Sequence, residues 1–456
     1  MTSAQFLPRP ALSTLQQRLK PVVISVAVLA WGSMASAQAQ SLVDLYNAAK
    51  QQDATLQSAQ AQLQAVEAKA EQAKAGLRPQ AGLSAGANWS NVDTSLSSNS
   101  KSVDNQNVAL TASQPLYRPI NSLNIQQGQL GLDIARAQLD AAEQDLIVRT
   151  AQAYFDVVAA QDSLAFVQAQ KKAVAEQLAA AKTNFEVGTT TVTDSREAQA
   201  RFDLVTAQEI AAANDLRVKR LALDQLVGKT DTYPKPLAAK ASLPALPETG
   251  VEEWVARALK QNPAVQQLNL AYNIAEIEVI KAQAGHKPTV DLVGQYQIAN
   301  APSSSYPTAG NFRTNTASIG VQLNLPLFAG YAIQNRVKET LALVDKANAD
   351  REAAIRNLSQ GVRSAYFGVL SGQSQVKALE AAEASSQSAL EANQLGYQVG
   401  VRINIDVLNA QSQLFQTKRD LAQARYNVLV GQLRLKQAGG ALQASDLQSI
   451  NALLAP

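Results

Sequence analysis

With 456 residues and no Cys, the chain has no disulfides, no thiolate metal centres and no lipid on an N-terminal Cys, and its single His, His286, cannot form a His cluster. Its 40 Lys and Arg exceed its 37 Asp and Glu only because Arg9, Arg18 and Lys20 stand in an acid-free N-terminal segment. The remainder carries 37 charges of each sign, so the charge balance gives no argument for nucleic acid.

Residues 1–39 read as a secretory signal. The three basic residues precede an apolar stretch, Val22 to Ala30, that is too short to span a bilayer. Ala35-Ser36-Ala37 and Ala37-Gln38-Ala39 are small-x-small cleavage sites, so the mature chain is expected to begin near Gln38 or Gln40. No later stretch approaches the roughly 20 apolar residues of a spanning helix. The exported chain can therefore cross a bilayer only by strands.

The remainder is a duplication. Residues 40–228 form a first expected repeat, 229–248 a connector rich in Pro (Pro234, Pro236, Pro244, Pro247), 249–440 a second repeat and 441–456 a short, loosely held tail. Each repeat opens on a capping-box pattern, Ser41-Leu42-Val43-Asp44 and Thr249-Gly250-Val251-Glu252, followed by a helical run. Pro79 and Pro288 end these runs, with His286 in the loop-like segment before Pro288. The period then changes from helical to two. Val290, Leu292, Gly294, Tyr296 and Ile298 alternate with polar or small residues, as do Ala317, Ile319, Val321, Leu323 and Leu325. Leu83, Ala85, Ala87 and Trp89, then Val108, Leu110 and Ala112, form a weaker first copy. Two strands of about 9–11 residues are expected in each half, the length that crosses a bilayer at a tilt, joined by polar loops over Asn91 to Asn105 and Asn300 to Arg313.

A very long helix follows each strand pair, Asn121 to Val187 and Tyr331 to Val399, neither containing Pro. Ile125, Leu132, Leu139, Leu146, Ala153, Ala160, Val167, Val174 and Ala181 keep a strict seven-residue spacing, which predicts coiled-coil packing. Both helices end at Val-Gly, and shorter helices return from about Asp194 to Gly228 and from about Asp406 to Gly440. The two tips are copies: Gly188, Asp194 and Gln199 fall on Gly400, Asp406 and Gln411 at one offset. By spacing alone Asp194 and Asp406 are helix N-caps, with Glu197 a capping-box partner for Asp194, and Gly188 and Gly400 are turn residues at positive φ.

Four strands cannot close a barrel, and an open strand edge cannot face lipid, so the chain must oligomerise. In this layout, and above all in Tyr397-x-Val-Gly-x-Arg402-x-x-x-Asp406-Val-Leu followed by Ala424-Arg425-Tyr426-Asn427, the sequence resembles the TolC-type outer-membrane efflux and secretion channels. The resemblance covers the whole chain after the signal. It implies a mainly α fold with a membrane β-barrel part. Duplicated long helical hairpins would form a tunnel through the periplasm, and four strands per chain would complete a shared 12-stranded barrel in a homotrimer. It implies as partners the outer-membrane lipid, a periplasmic adaptor (membrane fusion) protein and an inner-membrane efflux pump or secretion ATPase. Drugs or secreted proteins would leave through the tunnel, with no catalysis, cofactor or metal. The resemblance places Asp406 in an acidic ring at a closed periplasmic mouth. Arg402 and Tyr397 tie the inner hairpin to its neighbour, with Thr193 and Asp194 as their partners. Val187, Gly188 and Thr189, with Val399, Gly400 and Val401, form the tips where the adaptor docks. The type member has a second acid where this chain has Asn409. A periplasmic adaptor would instead need β-rich domains flanking one hairpin, and a secreted helical filament would explain neither the lipid-length strands nor the duplication.

Overall fold

The computed structural model describes residues 39–92, 101–238, 242–245, 250–301 and 312–455; the expected signal segment up to residue 38 lies outside them. The first half runs α1 (Leu42–Gln52), α2 (Ala54–Lys74), a 3-10 turn (Ala75–Leu77), β1 (Gln80–Val92), β2 (Lys101–Tyr117), α3 (Pro119–Glu186) and α4 (Val192–Val227). The second repeats the order: α5 (Val251–Gln261), α6 (Pro263–Ala284), β3 (Thr289–Ala301), β4 (Phe312–Asn324), α7 (Ala332–Gln398) and α8 (Asn404–Ala438). A short α9 (Asp446–Asn451) follows.

Local chemistry sets the helix starts. Ser41 caps α1 as expected: its hydroxyl accepts from the Asp44 amide at 3.2 Å, and the Asp44 carboxylate accepts from the Ser41 amide at 3.3 Å. The matching pattern in the second half does not form, because the residue at the N-cap of α5 is Gly250, which has no side chain to accept. Each opening helical run, expected to be continuous, is broken once. Asp53 ends α1 in extended geometry and caps α2 through the Leu56 amide at 2.8 Å; Asn262 does the same between α5 and α6 through the Ala264 amide at 2.9 Å. Pro263 reinforces the second break, since Pro is tolerated in the first turn of a helix but not in its interior, so α5 cannot run on through it.

The strands form one antiparallel sheet in the order β1-β2-β3-β4, so the central pairing joins the two halves. They run to 13, 17, 13 and 13 residues, longer than expected, and extend into both ends of the segments expected as loops; residues 93–100 and 302–311 lie outside the described ones. Register explains the sequence pattern. Leu83, Leu110, Tyr296 and Ala317 lie in one cross-strand row, and Ser84, Ala109, Gln297 and Thr316 in the next. Adjacent rows point to opposite faces, so the sheet has one apolar and one polar side. Arg118 at the end of β2 closes the base of the sheet with a bidentate bond to Asp291 of β3, at 2.6 and 2.8 Å.

The 68 residues of α3 and 67 of α7 make helices of roughly 100 Å at about 1.5 Å per residue. α3 packs along α2 and α6 at its start and along α4 and α8 towards its end, while α7 pairs mainly with α8 and α6. The heptad stripe is the buried face of α3: Leu132, Leu146, Ala160, Val167, Val174 and Ala181 are all buried. Val362, Val369, Val376 and Leu390 repeat the seven-residue step on α7.

The principal core lies where α1, α3, α4 and α8 meet. Tyr154, Phe155 and Tyr426 fill its centre, with Phe155 stacked on Tyr426 at 5.5 Å, and the Tyr154 hydroxyl donates to the Lys235 carbonyl of the connector at 2.8 Å. The tail, expected to be loose, belongs to this core. Leu442, Leu447, Ile450 and Leu454 are buried in it, Leu454 bridges Leu237, and Asp446 pairs with Lys436 at 2.8 Å. Four large apolar side chains within thirteen residues supply enough burial to order a short segment.

Candidate functional site

The two hairpin tips carry the expected functional residues. Both long helices end on glycines in the left-handed region, Gly188 and Gly400, each at φ 76°. The Gly188 and Thr189 amides bond the Phe185 and Asn184 carbonyls at 2.9 Å, and the Gly400 and Val401 amides bond the Tyr397 and Gly396 carbonyls at 3.1 and 2.8 Å. These bonds satisfy the last helical carbonyls, which is why both long helices stop cleanly at the same motif. Around these turns Val187, Val399, Val401 and Ile403 stand more than half exposed.

The return helices start differently. Thr191, not Asp194, is the N-cap of α4: its hydroxyl accepts from the Asp194 amide at 3.3 Å, and the Asp194 carboxylate accepts from the Thr191 amide at 3.1 Å and hydroxyl at 3.0 Å. Asp194 is therefore the acidic partner of a capping box three residues in, the place expected for Glu197. In α8 the N-cap is Ile403, which cannot accept, and Asp406 occupies the position matching Asp194. With no hydroxyl to engage it, the Asp406 carboxylate lies 3.6 Å from Arg402 Nη1. The duplication thus conserves the acid's place but not its partner. One carboxylate is spent on its own helix and the other is left to pair with a tip arginine.

Tyr397 packs beside Leu390, Val407 and Leu414, and its hydroxyl accepts from Asn184 Nδ2 at 3.4 Å, linking the two hairpins. Thr193 is exposed in the first turn of α4. Among the described residues of one chain, Arg402 and Tyr397 pair with Asp406 and Asn184 and not with Thr193 or Asp194.

Three residues outside the sequence reading hold the tips together. Asn404 is 1 % exposed and accepts from Gln177 of α3. Its spacing with Val407, Leu408, Gln411 and Leu414 puts it on the inward stripe of α8, a signal visible in the sequence. Asn184 is the partner of Tyr397. Arg201 of α4 donates to Asn409 Oδ1 at 2.8 Å, so the position where a second acid is expected is the acceptor for an arginine. No group of three His, Asp or Glu side chains able to hold a metal ion occurs among the described residues.

A family model described as outer membrane efflux protein matches residues 45–229 and 254–441, nearly all of both halves. The chain belongs to that family. It is 32 % identical over 437 residues to outer membrane protein TolC of Vibrio cholerae, covering 96 % of this chain and 98 % of the relative. It is 32 % identical to TolC of Escherichia coli K12, covering 95 % and 89 %. The proteases secretion protein PrtF of Dickeya chrysanthemi is 29 % identical and covered to 95 % on both sides. Among solved structures, the Campylobacter jejuni CmeC outer membrane channel superposes with a TM-score of 0.77 at 16 % identity, covering 92 % of this chain and 91 % of that one. VceC of Vibrio cholerae superposes with a TM-score of 0.74 at 22 % identity, covering 88 % and 96 %. These likenesses establish the channel-tunnel fold; the full-length TolC relatives establish a TolC-type outer-membrane channel for export. The expected fold, family and outer-membrane location stand on them.

Proposed function

We propose that three copies of this chain form one conduit, with the four-stranded sheets closing a 12-stranded barrel in the outer membrane and the helices continuing it as a tunnel through the periplasm. The observation that carries this reading is the sheet itself. It is amphipathic across all four strands, and β1 and β4 are unpaired on their outer edges among the described residues. Each backbone group left open in lipid costs several kcal/mol. The expected division into a removed signal (1–39), two repeats (40–228 and 249–440), a connector and a tail belongs to the same proposal.

In this reading the exposed apolar tips, Val187-Gly188-Thr189 and Val399-Gly400-Val401, are where a periplasmic adaptor docks, bringing an inner-membrane pump or secretion ATPase that drives substrate through. Asp406, Arg402, Tyr397, Asp194 and Thr193 close the mouth between neighbouring hairpins. The cargo is drugs or secreted protein, the second class suggested by the name of the PrtF relative. Mass measurement of the detergent-purified channel tests the proposal: a trimer is expected, and a stable monomer with channel activity would overturn it.

A further inference from the structure

Ten to twenty residues above the tips, α4 and α8 part to leave a cleft of about 400 Å³, with buried Gln170 of α3 in its wall. Two arginines line it, Arg201 and Arg419, and no carboxylate does. The arginines meet only neutral amides. Arg201 Nη2 donates to Asn409 Oδ1 at 2.8 Å; Arg419 Nη2 donates to Gln416 Oε1 at 2.7 Å and Nη1 to Gln170 Oε1 at 3.4 Å. Each guanidinium has five N–H donors, so most remain free for a ligand. The neighbouring acids are engaged: Asp420 accepts from Gln416 at 2.8 Å, and Glu209 pairs with Lys171 at 2.7 Å.

Arg149, Arg118, Arg336 and Arg363 each meet a carboxylate, whereas Arg201 and Arg419 share one cleft and meet amides alone. Partly buried cations without a counter-charge are costly, and that cost falls when an anion enters. Burial lowers the Arg419 pKa, and the nearby charge of Asp420 does not offset it. We propose that Arg201 and Arg419 make this cleft an oxyanion site, taking phosphate, sulfate or a carboxylate group. The planar fork of each guanidinium matches the oxygens of such groups, and the side-chain amides of Gln208 and Gln413 add donors along the cleft.

The test is calorimetric titration of inorganic phosphate, and separately of succinate, into the detergent-purified full-length channel at low ionic strength. Saturable binding at one site per chain is expected. Affinity should fall at least about tenfold in Arg419→Gln and in Arg201→Gln and fall less in Arg419→Lys, since charge is kept but the fork is lost. Tighter phosphate binding would assign the site to a free inorganic anion, and tighter succinate binding to carboxylate groups of a cargo or partner. Arg201→Gln decides the matter if Arg419→Gln does not fold. Absence of saturable binding, or equal affinity in wild type and Arg201→Gln, overturns the site.

Discussion

At the scale of single residues, the tip owes its character to who partners each carboxylate. Asp194 is held by Thr191, Asp406 lies beside Arg402, and Asn409 stands opposite Arg201. Asp406 is therefore the acid at the tip of α8 open to a cation. Three copies around one constriction would bind a multivalent cation weakly, since hard cations take several oxygen ligands. Asp406→Asn is expected to abolish block by a trivalent cation added from the periplasmic side in planar bilayers. Asn409→Asp alone should change that block little, because Arg201 neutralises the new carboxylate. Combining Asn409→Asp with Arg201→Gln should tighten block by about tenfold. Equal block in wild type and all three variants would mean that position 406 does not line the conduit.

Elements are joined by a few contacts that local sequence does not announce. Gly440 ends α8 at φ 71°, and a Cβ there would lie 2.6 Å from the Asn262 backbone at the α5–α6 break. Gly400 has a similar φ but open space around it. Gly400→Ala is thus expected to cost about 1–2 kcal/mol from backbone strain alone. Gly440→Ala should cost distinctly more, because backbone cannot swing aside as a side chain can. Thermal unfolding of both variants checks the order, and equal Tm losses would refute the clash. Near the sheet, Glu278 of α6 links α3 and α7. It accepts from Gln127 at 3.0 Å, Lys281 at 2.9 Å and Arg336 at 2.8 Å, and these bonds, that from Gln127 first, hold its pKa down to about 2. A depressed carboxylate stabilises the fold above its unfolded pKa of about 4.3, and that contribution fades as pH falls towards about 2. Glu278→Gln should therefore lower Tm at pH 7, with the gap from wild type closing as the medium is acidified through that window. A gap independent of pH would show that the carboxylate's charge is irrelevant.

For the whole molecule, closure of the proposed mouth depends on contacts that are individually weak. Arg402 is more than half exposed, so its pairing with Asp406 is worth no more than about 1 kcal/mol. The Tyr397 bond to Asn184, at 3.4 Å, is long. Such links hold a conduit shut only in sets, repeated around the assembly, and they yield readily to a docked partner. The double variant Arg402→Ser, Tyr397→Phe is accordingly expected to raise single-channel conductance several-fold in bilayers. Unchanged conductance would mean that the mouth is held by other contacts.

Much of this architecture was legible in the sequence because the decisive signals are periodic and local. The seven-residue stripe from Leu132 to Ala181 defines the buried face of α3, the alternation at Leu83 and Tyr296 defines the apolar side of the sheet, and the repeated Val-Gly marks both tips. A duplicated chain displays each signal twice, which separates it from chance. What the tertiary structure decided are pairings between distant residues. Asp53 reads as a mid-helix acid until Arg149 approaches it at 2.9 Å and its carboxylate caps α2. The tail from Leu442 reads as loose until the core formed by α1, α3 and α8 offers a surface to bury it. Asn409 reads as a lost acid until Arg201, 208 positions earlier, is seen to meet it. Periodicity specifies which face of a helix turns inward. Which side chain of the next helix lies opposite follows from the axial stagger of packed helices, and that stagger is set by all of their contacts at once.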